Sequence, residues 1–181
     1  MLREVAESDL DALFEQQADP ESSAMAGVPS RDRAAFDEHW RRILADESTV
    51  IRVVDVDGEA AGHVLSWPSE GRRYVGYWFA REFWGRGLAT AALGEFLVEL
   101  PDRPLHALVS TDNVGSIRVL EKCGFVEIVL ANLPQKPPLS RRARLLSARG
   151  CRARAARPCD RGARSRSRAP RRPRSPPSPT A

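Results

Sequence analysis

Residues 73–100 read RYVGYWFAREFWGRGLATAALGEFLVEL. The opening RYVGYWFA is an apolar and aromatic run of strand character, and the closing segment puts Leu88, Ala92, Leu93, Phe96, Leu97 and Leu100 on one helical face. Between them lies Trp84-Gly85-Arg86-Gly87-Leu88-Ala89-Thr90, so the local plan is strand, glycine loop, helix. Two glycines let the backbone turn sharply and approach a ligand. The free N–H groups of the helix's first turn then face an anion, aided by the helix dipole. Taken alone, the loop serves equally well as a structural turn. A dinucleotide fingerprint would need glycine in place of Thr90 and more βα units, and a Walker loop would need Gly-Lys-Ser/Thr; neither is present.

On the N-terminal side, Ser8 with Asp11 gives a capping-box-like start, and Leu10, Leu13 and Phe14 follow at helical spacing, which predicts a helix over 8–17. Phe36, Trp40, Ile43 and Leu44 predict a second over 31–46. TVIRVVDV (49–56) and EAAGHVLSW (59–67) are joined by Asp57-Gly58, a hairpin signal. On the C-terminal side PLHALVS (104–110) predicts a strand, a short helix runs from Asn113 to Lys122 before Gly124, and FVEIVL (125–130) starts another strand. No further apolar strand is expected beyond Leu130, and residues 1–132 show no repeat.

The 181 residues suit one globular domain, and the net charge of +4 hides a split. Residues 1–132 hold 13 Lys+Arg and 23 Asp+Glu (−10); residues 133–181 hold 15 and 1 (+14), which together give +4. The last segment also has 9 of the 14 prolines and no aromatic residue, Ile or Val, so 133–181 is expected to be a disordered Arg/Pro-rich tail. Its composition is that of GC-rich DNA read out of frame, which raises a frameshift near residue 130, with a natural basic tail as the alternative. No segment reads as a membrane span or a secretory signal, so a cytoplasmic protein is expected. The three cysteines, Cys123, Cys151 and Cys159, lack zinc or disulfide spacing, and no metal is expected.

A second motif, Asn113-Val114-Gly115-Ser116-Ile117-Arg118-Val119-Leu120-Glu121-Lys122-Cys123-Gly124-Phe125, opens the helix of the neighbouring βα unit. By itself Asn113 reads as a helix N-cap. Together, the loop Glu82-Phe83-Trp84-Gly85-Arg86-Gly87 and this phrase resemble the GNAT superfamily of acyl-CoA-dependent N-acyltransferases, over about residues 2–130. Glu82 stands where many members carry Arg or Gln, an exchange common in the branch that resembles the ribosomal-protein alanine and serine N-acetyltransferases. The resemblance implies a mixed α/β, three-layer fold. Its central, mostly antiparallel sheet is splayed at the acyl-CoA site, and here the final strand is expected to be missing. It also implies acetyl transfer from acetyl-CoA to a primary amine by direct attack in a ternary complex. Trp78 and Phe79 would pair with the pantetheine arm, and Gly85, Arg86, Gly87, Leu88, Ala89 and Thr90 would wrap the pyrophosphate. Asn113 would hydrogen-bond the pantetheine and Ser116 would lie near the thioester sulfur. Many members use a tyrosine seven residues after the asparagine as general acid; here that position is Leu120, which leaves Ser116 or solvent.

For the base, His106 on the strand before Asn113 and Glu70 in the loop before the cofactor strand are the candidates, with a packed strand histidine as the plain reading of His106. His39 and His63 fit less well. The four tryptophans have no basic residues interleaved, so they read as core or cleft wall. Two other functions are weighed. One is a non-catalytic acyl-CoA-binding remnant, raised by the missing strand, and the other is non-specific nucleic-acid binding through the 14 arginines of the tail. The acceptor is left open among peptide amino termini, polyamines, aminoglycosides and small metabolites, and a monomer or homodimer is expected.

Overall fold

Two tight turns organise the sheet. Asp57-Gly58 (φ 56° and 89°) and Glu70-Gly71 (φ 48° and 72°) each supply two consecutive left-handed residues, which is what a two-residue hairpin needs. They join β2 (Val50–Val56) to β3 (Glu59–Ser69) and β3 to β4 (Arg72–Phe79), all antiparallel. This is the computed structural model of the chain, and it describes residues 1–128 and 143–149. A short β1 (Leu2–Arg3) pairs with β2, and the Arg3 guanidinium clamps it there with a fork onto both Asp9 oxygens (2.6 and 2.7 Å) and a bond to Asp55 (3.1 Å). The same contacts hold the Asp9 carboxyl below the usual carboxylate range.

β5 (Leu105–Ser110) lies parallel to β4 but pairs with it only at Arg73↔Leu105 and Tyr74↔His106. Past Tyr74 the two strands separate. The sheet continues beyond β5 out of sequence order, as β1-β2-β3-β4-β5-β7-β6, with β6 (Val126–Glu127) at the edge and β7 (Ala143–Ala148) antiparallel to both neighbours. Strand β7 corrects the expectation of a missing final strand: Ala143-Arg144-Leu145-Leu146-Ser147-Ala148 occupies that place within the segment expected to be disordered. Leu146 and Ala148 are buried in the core. The remainder of the expected tail, with Cys151 and Cys159, lies outside the described residues, as do residues 129–130 of the expected last strand.

Helices cover both faces. α1 (Leu10–Ala18) and α3 (Arg33–Ala45) bring Leu13, Phe36 and Trp40 onto Ile51, Val53 and Ala60. On the opposite face α4 (Leu88–Glu99) and α5 (Val114–Lys122) bury Leu93, Phe96, Ile117 and Leu120 against Val64, Val75, Phe79 and Leu105. α2 (Pro20–Ala26) lies between the two expected N-terminal helices. Asp19 caps it by accepting from the Ser22 N–H (2.7 Å), Pro20 fits its first turn, and Gly27 at φ 68° ends it. The expected Ser8–Asp11 capping box is replaced by Asp9, which accepts from the Ala6 N–H (2.8 Å) at the start of a 3-10 turn leading into α1.

Candidate functional site

The separation of β4 from β5 leaves β4 without a ladder partner on that side from Val75 to Phe79. A cavity of about 450 Å³ opens there. Its walls bring together most of the residues expected from sequence: Trp78 and Phe79 from β4, Gly85, Gly87, Leu88, Ala89 and Thr90 from the loop and α4, and Asn113 and Ser116 from α5. Arg86 is the exception, since its guanidinium lies over the Phe83 ring (5.2 Å) and does not line the cavity.

The loop itself is poised for an anion. Helices α2, α3 and α5 are each capped by a side chain, Asp19, Asp32 and Asn113 respectively, whereas α4 begins at Gly87 (φ 78°) with no side-chain cap. The N–H groups from Gly85 through Thr90 have no hydrogen-bond partner among the described residues. An array of unpaired amides at a helix N-terminus is an anion-binding surface. Gly85 and Gly87 are required there by backbone conformation (φ 73° and 78°), because a Cβ at either would meet nothing within 4 Å.

Around this loop, side chains define the rest of the cavity. The Trp84 indole N–H donates to the Phe79 carbonyl (2.8 Å), so that carbonyl is already engaged. The Trp78 indole N–H donates to the Gln16 carbonyl (3.0 Å) and fixes its ring between sheet and α1. Asn113 is occupied twice: Oδ1 accepts from the Ser116 N–H (2.9 Å), and Nδ2 donates to the Met25 carbonyl (3.3 Å) at the end of α2. Tyr77, Arg118 and Lys122 line the cavity without having been expected. A signal existed for the two cations, since Gly115, Arg118, Val119 and Lys122 recur at helical spacing from the mouth of α5. Neither cation has an ion-pair partner among the described residues. Tyr77 donates its hydroxyl to the Ser116 carbonyl (3.2 Å), and burial pushes its pKa up to about 12.

A second cavity, about 600 Å³, meets the first at Tyr77 and Trp78, which line both. His39 and Trp40 of α3, His63 and Trp67 of β3, and Tyr74 of β4 face it. Burial lowers the pKa of both His39 and His63 to about 4, so both are neutral at pH 7. Glu70 stands at the tip of the β3–β4 hairpin, on the second cavity and away from the first. His106 lines neither cavity. It is a packed strand histidine, with Nδ1 at 3.4 Å from the Arg73 carbonyl, its ring tilted on Tyr74, and its pKa lowered chiefly by burial. Among the described residues no group of His, Cys, Asp and Glu is arranged to hold a metal, and no helix is long and apolar enough to cross a membrane.

Known proteins share this fold. An acetyltransferase from Agrobacterium tumefaciens str. C58 matches with a TM-score of 0.68 at 22% identity, over 82% of this chain and 90% of that one. The microcin C7 self-immunity acetyltransferase, solved with acetyl-CoA and AMP, matches at 0.67 and 18%, over 82% and 91%. An aminoglycoside acetyltransferase in complex with coenzyme A matches at 0.67 and 22%, over 82% and 94%. No curated protein sequence matches the chain. At these identities the likeness establishes the fold, a mixed α/β architecture around a mostly antiparallel sheet. The family model described as an acetyltransferase (GNAT) domain matches residues 1–126, a stretch that takes in the splayed strand, the uncapped glycine loop and the Asn113 helix. The chain belongs to the GNAT acetyltransferase family.

Proposed function

We propose that the protein is an N-acetyltransferase that binds acetyl-CoA in the cavity between β4 and β5 and passes the acetyl group to a primary amine held in the second cavity. The observation that carries this reading is that the two cavities meet at Tyr77 and Trp78, while the first is also walled by the loop Gly85–Thr90 with its unpaired amides. Two anchoring regions joined at one point suit a ternary complex, in which the amine attacks without a covalent enzyme intermediate.

The residues present fit the cosubstrate. The amides from Gly85 to Thr90 would hold the pyrophosphate, and Arg118 and Lys122 would add positive charge. The open side of β4 at Tyr77 and Trp78 would pair with the amide groups of the pantetheine arm, as an added strand does. Acetyl-CoA supplies an acyl carbon activated as a thioester. In the transfer, the neutral amine forms the C–N bond as the C–S bond breaks, the thiolate takes one proton, and the amine loses one. Ser116 is the proton donor in this reading, and Tyr77, held protonated and bonded to the Ser116 carbonyl, positions that turn. Glu70 takes the amine proton through water. The other carboxylate of the second cavity, Asp46, already accepts from Ser48 and Thr49. His106 is given no part.

Strand β7 fills the position whose expected absence raised the remnant reading, which favours the transferase. The likeness of 113–125 to the ribosomal-protein branch supports a protein amino terminus as one acceptor to test. The deciding experiment measures thermal stabilisation of the full chain by acetyl-CoA, then thiol release against a panel of amines. Stabilisation with turnover of at least one amine supports transfer. Stabilisation without turnover of any would leave a binding protein, and no stabilisation would remove the reading altogether.

A further inference from the structure

We infer that the amine accepted in the second cavity carries an anionic group, a carboxylate or a phosphate, on an apolar or aromatic body. This rests on the reading of that cavity as the acceptor site. The cavity is lined by buried aromatic residues. Trp40, Tyr74 and His63 are 1%, 3% and 5% exposed, and Trp40 Nε1, the Tyr74 hydroxyl and His63 Nδ1 are closed to solvent, with no hydrogen-bond partner among the described residues.

Charge sets the kind of substrate. Arg31, in the loop between α2 and α3, faces the cavity half-buried and has no hydrogen-bond or ion-pair partner among the described residues. Arg42 lies close enough to depress its pKa further, after burial, and both cations help keep His39 neutral. Among the described residues Arg42 pairs with Glu38, donating Nε to its backbone carbonyl (3.3 Å) with its carboxylate at 3.5 Å. Of the carboxylates on the cavity, Asp46 is spent on its own turn, which leaves Glu70 at the rim. A desolvated guanidinium without a counter-ion favours an anion and repels a polycation, so a polyamine or an aminoglycoside suits this cavity poorly. The apolar wall gives the body of the substrate: Trp67 and Tyr74 stack at 5.8 Å and 22°, and Trp67 lies over Gly76, where a Cβ would come within 3.3 Å of its ring.

The test compares matched amines with and without the anion: L-phenylalanine against phenethylamine, L-leucine against isoamylamine, phosphoethanolamine against ethanolamine, with spermidine as the polycation. Thermal stabilisation of the full chain by each amine is recorded alongside thiol release with acetyl-CoA. In at least one pair the anionic member is expected to stabilise the protein and to exceed its partner by about tenfold or more in kcat/KM, the worth of one charge-assisted hydrogen bond. The pair that responds tells carboxylate from phosphate. Arg31→Gln is expected to abolish the preference and Arg31→Lys to keep part of it, with both variants melting close to the unsubstituted chain. The inference is overturned if no anionic member is preferred, if spermidine is the better substrate, or if Arg31→Gln leaves the ratio unchanged. Should acetyl-CoA itself fail to stabilise the chain, the transferase reading falls, while stabilisation by the amines alone still decides this one.

Discussion

The Tyr77 hydroxyl donates to the Ser116 carbonyl at 3.2 Å and so ties the free side of β4 to the first turn of α5 across the split in the sheet. One neutral hydrogen bond thus sets the distance between the strand that would receive the cosubstrate and the residue proposed to protonate its leaving group. Ser116→Ala is expected to lower kcat by about 100-fold with KM for acetyl-CoA nearly unchanged, the pattern of a lost proton donor. Tyr77→Phe is expected to lower kcat by less than about tenfold, since it loosens position and leaves the acid in place. Steady-state kinetics of both variants decide the assignment. If the larger loss falls on Tyr77→Phe, the two roles are exchanged.

Gly87→Asp is expected to abolish stabilisation by acetyl-CoA. Its φ of 78° costs an L-residue roughly 1–2 kcal/mol, and the new carboxylate would stand beside amides waiting for an anion. Gly87→Ala carries the backbone strain without the charge and should retain part of the stabilisation. Equal thermal shifts in the wild-type chain and Gly87→Asp would place the anion site elsewhere.

Asn113→Ala should act on structure before it acts on binding. The side chain caps α5 and also bonds the Met25 carbonyl, so its loss removes a cap worth about 1 kcal/mol and frees the end of α2. Hydrogen exchange should speed up in both 20–26 and 114–117. A rise in KM with exchange unaltered would instead mean that the amide is held for the cosubstrate.

Acid should weaken the fold before its carboxylates titrate. His63 has a folded-state pKa lowered to about 4 by burial, against an ordinary value near 6.5. A depressed histidine favours the fold while neutral, so its contribution is full above about pH 6.5 and is lost as pH falls toward 4. The change is of order 3 kcal/mol. His63→Phe should flatten the pH dependence of the melting temperature across that window. An unchanged slope would mean that the ring is protonated in the folded state.

Amide exchange over 143–148 tests β7 directly. Its ladder with β5 runs from Ser110↔Ala143 to Leu105↔Ala148, so inward-bonded amides should be protected while a chain cut at residue 132 should aggregate. Protection there would also argue against treating this stretch as out-of-frame sequence. Rapid exchange throughout would restore the open-edged sheet expected from composition.

Much of the candidate site is legible where chemistry is local. Asp57-Gly58, the Gly85–Gly87 loop and the Asn113 cap each announce themselves through a backbone requirement that few residues meet. Helix α2 carried its signals too, Asp19, Pro20 and Gly27, but Pro20–Ala26 has no apolar stripe to reinforce them. Strand β7 is hidden for a different reason: the average over 133–181 is that of a chain unable to form a core, and two adjacent leucines are enough only because β5 and β6 wait on either side. The second cavity is least visible of all. Arg31 comes from a loop and His63 and Tyr74 from the two strands of the β3–β4 hairpin, and no spacing rule connects them.

The out-of-order position of β7 also sets a timetable for synthesis. Strand β6 reaches the sheet only through β7, and β5 has no neighbour on that side until β7 arrives. At about 5–20 residues per second, the interval between translation of Ser110 and of Ala148 is roughly 2–8 s, during which a nascent chain carries the largely buried β5 with one flank bare. A ribosome pausing within the proline- and arginine-rich stretch that begins at residue 133 would lengthen that exposure, so codon choice and chaperone supply there would govern how much of the protein reaches the soluble fraction.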